Sequence, residues 1–288
     1  MLNYFLCIIL SLELLSLIGK SQNQQDYKMD LYYITNSVKM ALKAEKCGVD
    51  RIMVDLEIEG KKERQGHLDT VISNHSIEDI YKIRASISKS KIVVRINPIS
   101  KKSKEEIDNV IMAGADIIML PMFRTYSDVK LFLDFVNSRV KVCLLLETYE
   151  AYKNLNKIIS LENIDEIHVG LNDLHLSMKL KFMFELLSNG IIEDISRKVI
   201  NRKIKFGFGG IARIGEGMLD SSLILSEHIR LNSSMVILSR DFKSNDCNLE
   251  KEIKKIRDLV FDYKTSNNHL LLKNRSKLNR KIYNITSK

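Results

Sequence analysis

The sequence is poor in the residues that mark linkers, disulfides and metal clusters. It has only two prolines and four cysteines in 288 residues. The scarcity of proline and the even spread of charge argue against long disordered linkers. The cysteines lie far apart, with no CxxC pair and no histidine at metal-ligand spacing, which argues against a zinc site. Cys47 and Cys143 lie in apolar stretches, so we expect buried, reduced thiols and a reducing compartment.

A basic surface interleaved with aromatic residues is also missing, although the formal net charge is +9. Seven cations and no acid follow Tyr263, so only +2 of this charge belongs to the preceding part of the chain. We therefore expect residues 264–288 to be a solvated, poorly ordered basic tail. No nucleic-acid partner is expected, and binding of a polyanion by the tail is the alternative.

The N-terminus lacks the roughly 20 consecutive apolar residues of a membrane span. Its apolar run FLCIILSLELLSLIG, residues 5–19, is interrupted by Glu13 and has no Lys or Arg before it, unlike a secretory signal. We expect residues 1–28 to be an appendage of a cytoplasmic protein, with Met29 as a possible true start. A signal or membrane anchor in this segment is the alternative.

Eight short apolar runs predict strands that are buried on both faces, as in a parallel sheet, because they are rich in Ile, Val and Leu without polar alternation. The predicted strands are LYYIT (31–35), RIMVDLE (51–57), KIVVRIN (91–97), DIIMLP (116–121), KVCLLLE (141–147), EIHVGL (166–171), IKFGFG (204–209) and MVILS (235–239).

Segments with helical periodicity alternate with these strands. One of them, SKEEIDNVIMAG, is expected to begin with Ser103 and Glu106 as a capping box. The alternation predicts an α/β fold, a (β/α)8 TIM barrel that forms a single domain over residues 29–263. A doubly wound open sheet is the alternative, but ITNS after the first strand is not the Gly-rich turn which that fold uses.

The active site of such a barrel lies at the carboxyl ends of its strands. Glu147 and Asp173 end adjacent strands there and could bind one Mg2+ or Mn2+ ion, or each could cap the following helix. Arg95 ends the third strand, where it could bind a substrate carboxylate or pair with Glu57. The glycines of GFGGIAR predict either a phosphate or carboxylate loop or a tightly packed turn; they are Gly207, Gly209 and Gly210.

Five motifs at successive strand ends resemble the HpcH/HpaI aldolase and citrate lyase β-subunit family over residues 29 to about 242. They are VDLE, VVRINP, GADIIMLP, LLLET and GLNDL. The resemblance implies a (β/α)8 barrel that binds Mg2+ or Mn2+ and makes or breaks a carbon–carbon bond next to a carboxylate or thioester. It assigns the metal to Glu147 and Asp173, and the substrate carboxylate and enolate to Arg95. Other expected substrate contacts are Asn97, Pro121, Gly170, Leu171 and Asn172.

One departure from the family pattern concerns the general base. A histidine or an acid follows the VDLE glutamate in the two branches of the family, whereas this chain has Ile58. Glu57 is expected to be catalytic, and further candidates for the base are Glu59, His67 and His75.

The expected activity is that of a metal-dependent aldolase of class II type, an aldehyde-lyase or oxo-acid-lyase. It would act through a pyruvate-like enolate on an oxo-acid and an aldehyde. One alternative is a citramalyl- or malyl-CoA-type lyase that uses an acyl-CoA enolate. The other is a non-catalytic barrel that binds a carboxylate or phosphate. The resemblance also implies a homo-oligomer, a trimer or a hexamer.

Overall fold

The computed structural model describes residues 28–58 and 75–287. Its strands form one closed barrel in which each strand pairs in parallel with the next, and the last pairs with the first. This confirms the (β/α)8 barrel, and the closed sheet rules out the doubly wound alternative. The strands are β1 Asp30–Ile34, β2 Arg51–Asp55, β3 Lys91–Arg95, β4 Ile117–Leu120, β5 Lys141–Leu146, β6 Glu166–Val169, β7 Lys205–Ile211 and β8 Met235–Leu238.

Helices surround the barrel and alternate with its strands. Those of the described residues are α1 Val38–Lys46, α2 Ile77–Arg84, α3 Ser103–Met112, α4 Tyr126–Val136, α5 Tyr149–Lys153, α6 Leu155–Ile158, α7 Leu171–Ser177, α8 Glu185–Ser188, α9 Ile191–Asn201, α10 Ser221–Arg230, α11 Leu249–Thr265 and α12 Asn268–Thr286. No helix among them is both long enough and apolar enough to cross a bilayer.

Side chains fill the barrel interior, so that ligands can enter only at its two ends. The inward-facing apolar residues form a cluster separate from the outer core between strands and helices. Its buried members are Tyr32, Met53, Val93, Ile117, Met119, Cys143, Leu145 and Met235. The cysteines that the structure describes are free thiols. Cys143 is buried as expected, whereas Cys47 is partly exposed, so the expectation of burial is wrong for Cys47.

The expected capping box at the start of α3 is wrong. The N-cap residue is Lys102, and Ser103 is already the first residue of the helix. The Glu106 carboxylate instead accepts hydrogen bonds from the backbone N–H and the side-chain amide of Asn97, at 3.1 and 2.8 Å. Because Glu106 braces the segment after β3, it is not available to cap its own helix.

The prediction that residues 264–288 form a poorly ordered tail is also wrong. Residues 268–286 form helix α12, which packs along α10. Leu278 and Ile282 are buried in this contact, and the Asn274 side-chain amide donates to Ser226 Oγ at 3.1 Å. An apolar stripe on one helical face therefore outweighs the basic composition of the segment. The expected appendage, residues 1–28, lies outside the described residues apart from its last residue.

Candidate functional site

The carboxyl end of the barrel brings together an arginine and several carboxylates. Asp55 and Arg95 are the last residues of β2 and β3 and lie directly opposite each other in the strand register. Glu147 follows β5, and Asp173 lies in the first turn of α7, which follows β6. Parallel strands in a closed barrel place all four at one mouth, where TIM-barrel enzymes have their active sites.

Glu147 is held inside the mouth and does not cap the helix that follows it. The cap of α5 is Thr148, whose hydroxyl accepts the Ala151 N–H at 3.1 Å. Only 2% of the Glu147 surface is exposed, and its Oε1 accepts the Met122 N–H at 3.1 Å. Met122 has a φ of 53°, a conformation that is uncommon outside glycine. In this conformation its N–H points to the Glu147 carboxylate.

Gly170 leaves room for the Glu147 carboxylate. A Cβ atom at this position would lie 2.6 Å from Glu147 Oε2 and 2.9 Å from Glu147 Cβ. No side chain is tolerated at such distances without displacement of the glutamate. Gly170, expected from the sequence to contact the substrate, therefore determines where the Glu147 carboxylate lies.

The electrostatic surroundings of Glu147 are unfavourable for its charge. Burial raises the pKa of Glu147 to about 8, the Arg95 guanidinium opposes this rise, and the carboxylates of Asp173 and Glu57 add to it. A desolvated carboxylate next to other negative charges is stabilised by any cation placed between them. This corner of the mouth therefore suits a divalent metal.

Asp173 is the second carboxylate of this corner. It is half-buried, and its carboxylate accepts no hydrogen bond from the part of the chain that the structure describes; the N-cap of α7 is Gly170. The described residues contain no group of three or more His, Cys, Asp or Glu side chains that could hold a metal. Mg2+ commonly takes one or two protein carboxylates and fills its other positions with substrate and water, so the pair fits that ion.

Arg95 is fixed in place by two acids. Its Nε and Nη2 donate to Asp55 Oδ1 and Oδ2, both at 2.8 Å, and its Nη1 lies 3.3 Å from Glu57 Oε2. Burial would lower the pKa of Arg95, but the Asp55 and Glu57 carboxylates reverse this and hold the pKa above its usual range. The expected ion pair with Glu57 is thus present, and Asp55 is the stronger partner.

Sequence reasoning missed the role of Asp55, although a signal for it exists. Asp55 lies two residues after Met53, and Arg95 lies two residues after Val93, in two neighbouring predicted strands. Their side chains therefore point into the barrel, as those of Met53 and Val93 do. Opposite charges at the same height on adjacent parallel strands predict an ion pair.

The candidates for the general base are only partly described by the structure. Glu59 and His67 lie outside the described residues. His75 lies beside the site, where its Nδ1 accepts the Asp55 N–H at 2.9 Å, which leaves Nε2 to carry the proton in the neutral ring. Glu57 is 2% exposed, whereas the next residue, Ile58, is 52% exposed.

The expected substrate contacts differ in what they can offer. The Asn97 side chain is engaged at both ends, since its Oδ1 accepts the Ile58 N–H and its Nδ2 donates to Glu106. Pro121 is buried directly after β4, and Asn172 is half-buried at the mouth. Leu171 is 3% exposed and belongs to the core between strands and helices.

The glycine cluster does not form the loop that was one of its two expected forms. Gly207, Gly209 and Gly210 all lie within β7, where the pairing with β8 shifts register between Gly207 and Gly210. A Cβ at Gly207 would lie 2.3 Å from the Met235 side chain, and one at Gly209 would lie 2.6 Å from Leu171. Close packing between strands and a positive φ of 50° at Gly209 account for these glycines.

The chain matches the model of a known protein family over more than half of its length. The family model for HpcH/HpaI aldolase/citrate lyase matches residues 28–186, which include β1 to β6 and the charged residues Asp55, Glu57, Arg95, Glu147 and Asp173. No curated protein matches the chain.

Solved structures with the same fold include two proteins whose names mention this family. The HpcH/HpaI aldolase from Desulfitobacterium hafniense DCB-2 is 13% identical, with a TM-score of 0.58 over 76% of this chain and 89% of that one. A HpcH/HpaI aldolase/citrate lyase family protein from Burkholderia cenocepacia J2315 is also 13% identical, with a TM-score of 0.58 over 86% of this chain and 99% of that one. At this identity the likeness concerns the fold alone.

Proposed function

The chain belongs to the HpcH/HpaI aldolase/citrate lyase family, and from this premise we propose that it is a divalent-metal-dependent carbon–carbon lyase acting through a pyruvate-like enolate. The observation that supports the proposal best is Glu147, a buried carboxylate whose pKa is raised beside Asp173 and within the influence of Arg95. Strongly perturbed carboxylates in a barrel mouth are typical of functional sites.

Glu147 and Asp173 would hold Mg2+ or Mn2+. The fit rests on two hard oxygen donors of like charge, one of them desolvated, at the carboxyl ends of adjacent strands. When bound, the ion would supply Lewis-acid polarisation of the substrate carbonyl.

Arg95 would bind the oxo-acid carboxylate and stabilise the enolate oxygen. Three of its five N–H groups face Asp55 and Glu57, so two remain for substrate. Its plane is fixed before substrate arrives, which lowers the cost of ordering the charge at the moment of reaction. Gly170, Asn172 and the backbone of Leu171 would line the same subsite.

Glu57 would take the proton from the substrate hydroxyl when the carbon–carbon bond breaks, because neutral His75 already uses Nδ1 to accept the Asp55 N–H and carries its proton on Nε2. Both lie within the Asp55–Arg95 network, Glu57 through Arg95 and His75 through the Asp55 backbone. The other substrate half, an aldehyde, and the assembly into trimers or hexamers remain predictions.

The proposal is tested by incubating the full chain with pyruvate in D2O and following the methyl signal by NMR. We expect the signal to decay when Mg2+ or Mn2+ is present, because enolate formation exchanges the methyl protons with solvent. The Glu147→Gln variant should lose this decay. Glu150→Gln, a partly exposed position in α5, is the matched control and should keep it.

Two results would contradict the proposal. Exchange that persists in Glu147→Gln at the wild-type rate would remove the glutamate from the mechanism. If the wild type binds Mn2+ but catalyses no exchange of the methyl protons, pyruvate is not its substrate. The alternative of an acyl-CoA lyase would then be tested first, with an acetyl thioester. A barrel that binds carboxylates without turnover would catalyse proton exchange on neither pyruvate nor the acetyl thioester.

A further inference from the structure

The barrel has a second opening at its amino end, opposite the proposed active site. This opening leads into a cavity of about 460 Å3 that reaches the inward-facing side chain of Ile117. Its size lies within the range of small-molecule sites, roughly 300–1,000 Å3. Seven lysine or arginine side chains line the cavity, against four carboxylates.

The strand register explains why several of these cations surround the opening. Lys141 is the first residue of β5 and pairs with Ile117, and Lys205 is the first residue of β7 and pairs with Glu166. Both partners face the barrel interior, and paired residues of parallel strands point to the same side of the sheet. Lys91 occupies the same place at the start of β3. Three alternate strands, β3, β5 and β7, thus each begin with a lysine at this mouth.

The carboxylates of the cavity are already engaged and do not neutralise this ring. Asp30 and Glu166 both accept hydrogen bonds from Arg51, which is 4% exposed and forms the floor of the opening. Asp50 is ion-paired with Lys28 on the rim.

The remaining carboxylate, Glu45, accepts backbone N–H groups of residues 88–90. Within residues 28–58 and 75–287, the ammonium groups of Lys89, Lys141 and Lys205 make no ion pair with a carboxylate. Three exposed cations around one concave opening repel one another unless an anion lies between them.

We propose that this amino-terminal cavity binds a phosphate-bearing anion through Lys89, Lys141 and Lys205. Ammonium groups act as point charges and suit the several oxygens of a phosphate or polyphosphate without requiring a fixed orientation. The site lies outside the proposed catalytic machinery, so it adds a second ligand to the molecule. The phosphate could belong to a free metabolite or to a lipid headgroup.

The first test is calorimetric titration of the full chain with inorganic tripolyphosphate at low ionic strength. We expect saturable binding that weakens as salt is added. The double variant Lys141→Gln/Lys205→Gln should lose affinity by roughly tenfold or more, because two charge-assisted contacts disappear. The control is Lys130→Gln/Lys254→Gln, which removes two exposed cations from outer helices and should bind as the wild type does.

A second arm identifies the source of the phosphate. The chain is sedimented with phosphatidylcholine vesicles, with and without phosphatidylserine. Binding to the vesicles that depends on Lys141 and Lys205 indicates a lipid headgroup. Binding of tripolyphosphate without binding to the vesicles indicates a free ligand. A Lys89→Gln/Lys205→Gln variant repeats the measurement if the first variant unfolds early. The proposal is overturned if the wild type binds neither probe, or if the lysine variants bind as tightly as the wild type.

Discussion

At the scale of single residues, Asp55 fixes the geometry of the candidate site through its hydrogen bonds to Arg95. Its carboxylate accepts two parallel hydrogen bonds of 2.8 Å from Arg95 and raises the pKa of the guanidinium. It also receives the Glu57 N–H at 3.3 Å. We therefore assign Asp55 a positioning role, since it orients the cation that would meet the substrate.

Replacing Asp55 by Asn should separate positioning from metal binding. The amide keeps the shape but loses the charge and one acceptor, so the guanidinium is held less firmly. We expect pyruvate methyl exchange to slow about 10- to 100-fold, as for other small misplacements of a catalytic group, while Mn2+ affinity stays near wild type. Exchange in D2O and Mn2+ titration give the two values.

The matched control for this change is Asp116→Asn, which removes the charge from another Arg–Asp pair outside the mouth, with Arg84 at 3.1 Å. It should leave exchange unchanged. An Asp55→Asn protein that exchanges at the wild-type rate would show that Arg95 needs no such support.

His168 provides a pH-dependent contribution to stability. It is fully buried in β6, and its Nε2 lies 2.9 Å from the Gly209 carbonyl oxygen, so Nε2 carries the proton and Nδ1 has no partner among the described residues. Burial lowers the pKa of His168 to about 4, despite the bond to Gly209.

The sign of the pH effect follows from this lowered pKa. In the unfolded chain His168 binds a proton as the pH falls below ~6.5, whereas in the folded chain it binds one only near pH 4. The unfolding free energy therefore decreases as the pH falls from ~6.5 to about 4. Between pH 7 and pH 5 we expect the unfolding free energy of the wild type to fall by about 2 kcal/mol more than that of His168→Gln. Urea unfolding at both pH values measures the difference. His269→Gln, on an exposed turn of α12, should follow the wild type; equal pH slopes for wild type and His168→Gln would contradict the account.

At the scale of elements, α12 is part of the fold. Its buried face contacts α10, and Arg275 adds an ion pair with Glu193 of α9 at 2.7 Å. Leu278 is 0% exposed in this contact, whereas Leu272 of the same helix is 49% exposed.

Truncating Leu278 to Ala should destabilise the protein by about 2–5 kcal/mol, because it removes buried apolar surface and leaves a cavity. Leu272→Ala should change the unfolding free energy by no more than about 0.5 kcal/mol. Chemical denaturation of both variants tests this. Equal, small effects would mean that the helix does not pack on α10 in solution.

The strands were predictable from the sequence, and α12 was not, for different physical reasons. Continuous apolar runs predict buried parallel strands with little ambiguity, so each observed strand lies within two residues of its predicted bounds. In α12 the apolar stripe is thin and surrounded by cations, and composition alone suggested disorder. Its stability comes from α10, a surface distant in sequence that no local pattern reveals.

At the scale of the whole molecule, the two ends of the barrel carry opposite chemistry. The carboxyl end holds buried carboxylates around Arg95, while the amino end is surrounded by lysines above the buried Arg51–Glu166 pair. The interior between them is filled with side chains. The two proposed sites are therefore separate, and changes at one end are expected to add to changes at the other.

The candidate site was predictable only in outline. The rule that barrel chemistry lies at strand ends was enough to select Glu147, Asp173 and Arg95. The N–H of Met122 at Glu147 and the fit of Gly170 against that carboxylate could not be predicted, because both depend on how separate strand ends meet after the barrel closes.

The most direct test of the account is a Mn2+ titration of the full chain followed by electron paramagnetic resonance. Barrel closure places Glu147 and Asp173 at one mouth, and we claim that together they bind one ion. We expect one tight site in the wild type and in Glu150→Gln, with affinity reduced roughly tenfold or more in both Glu147→Gln and Asp173→Asn. Wild-type Mn2+ affinity in either of those two variants would contradict the shared metal site and the mechanism built on it.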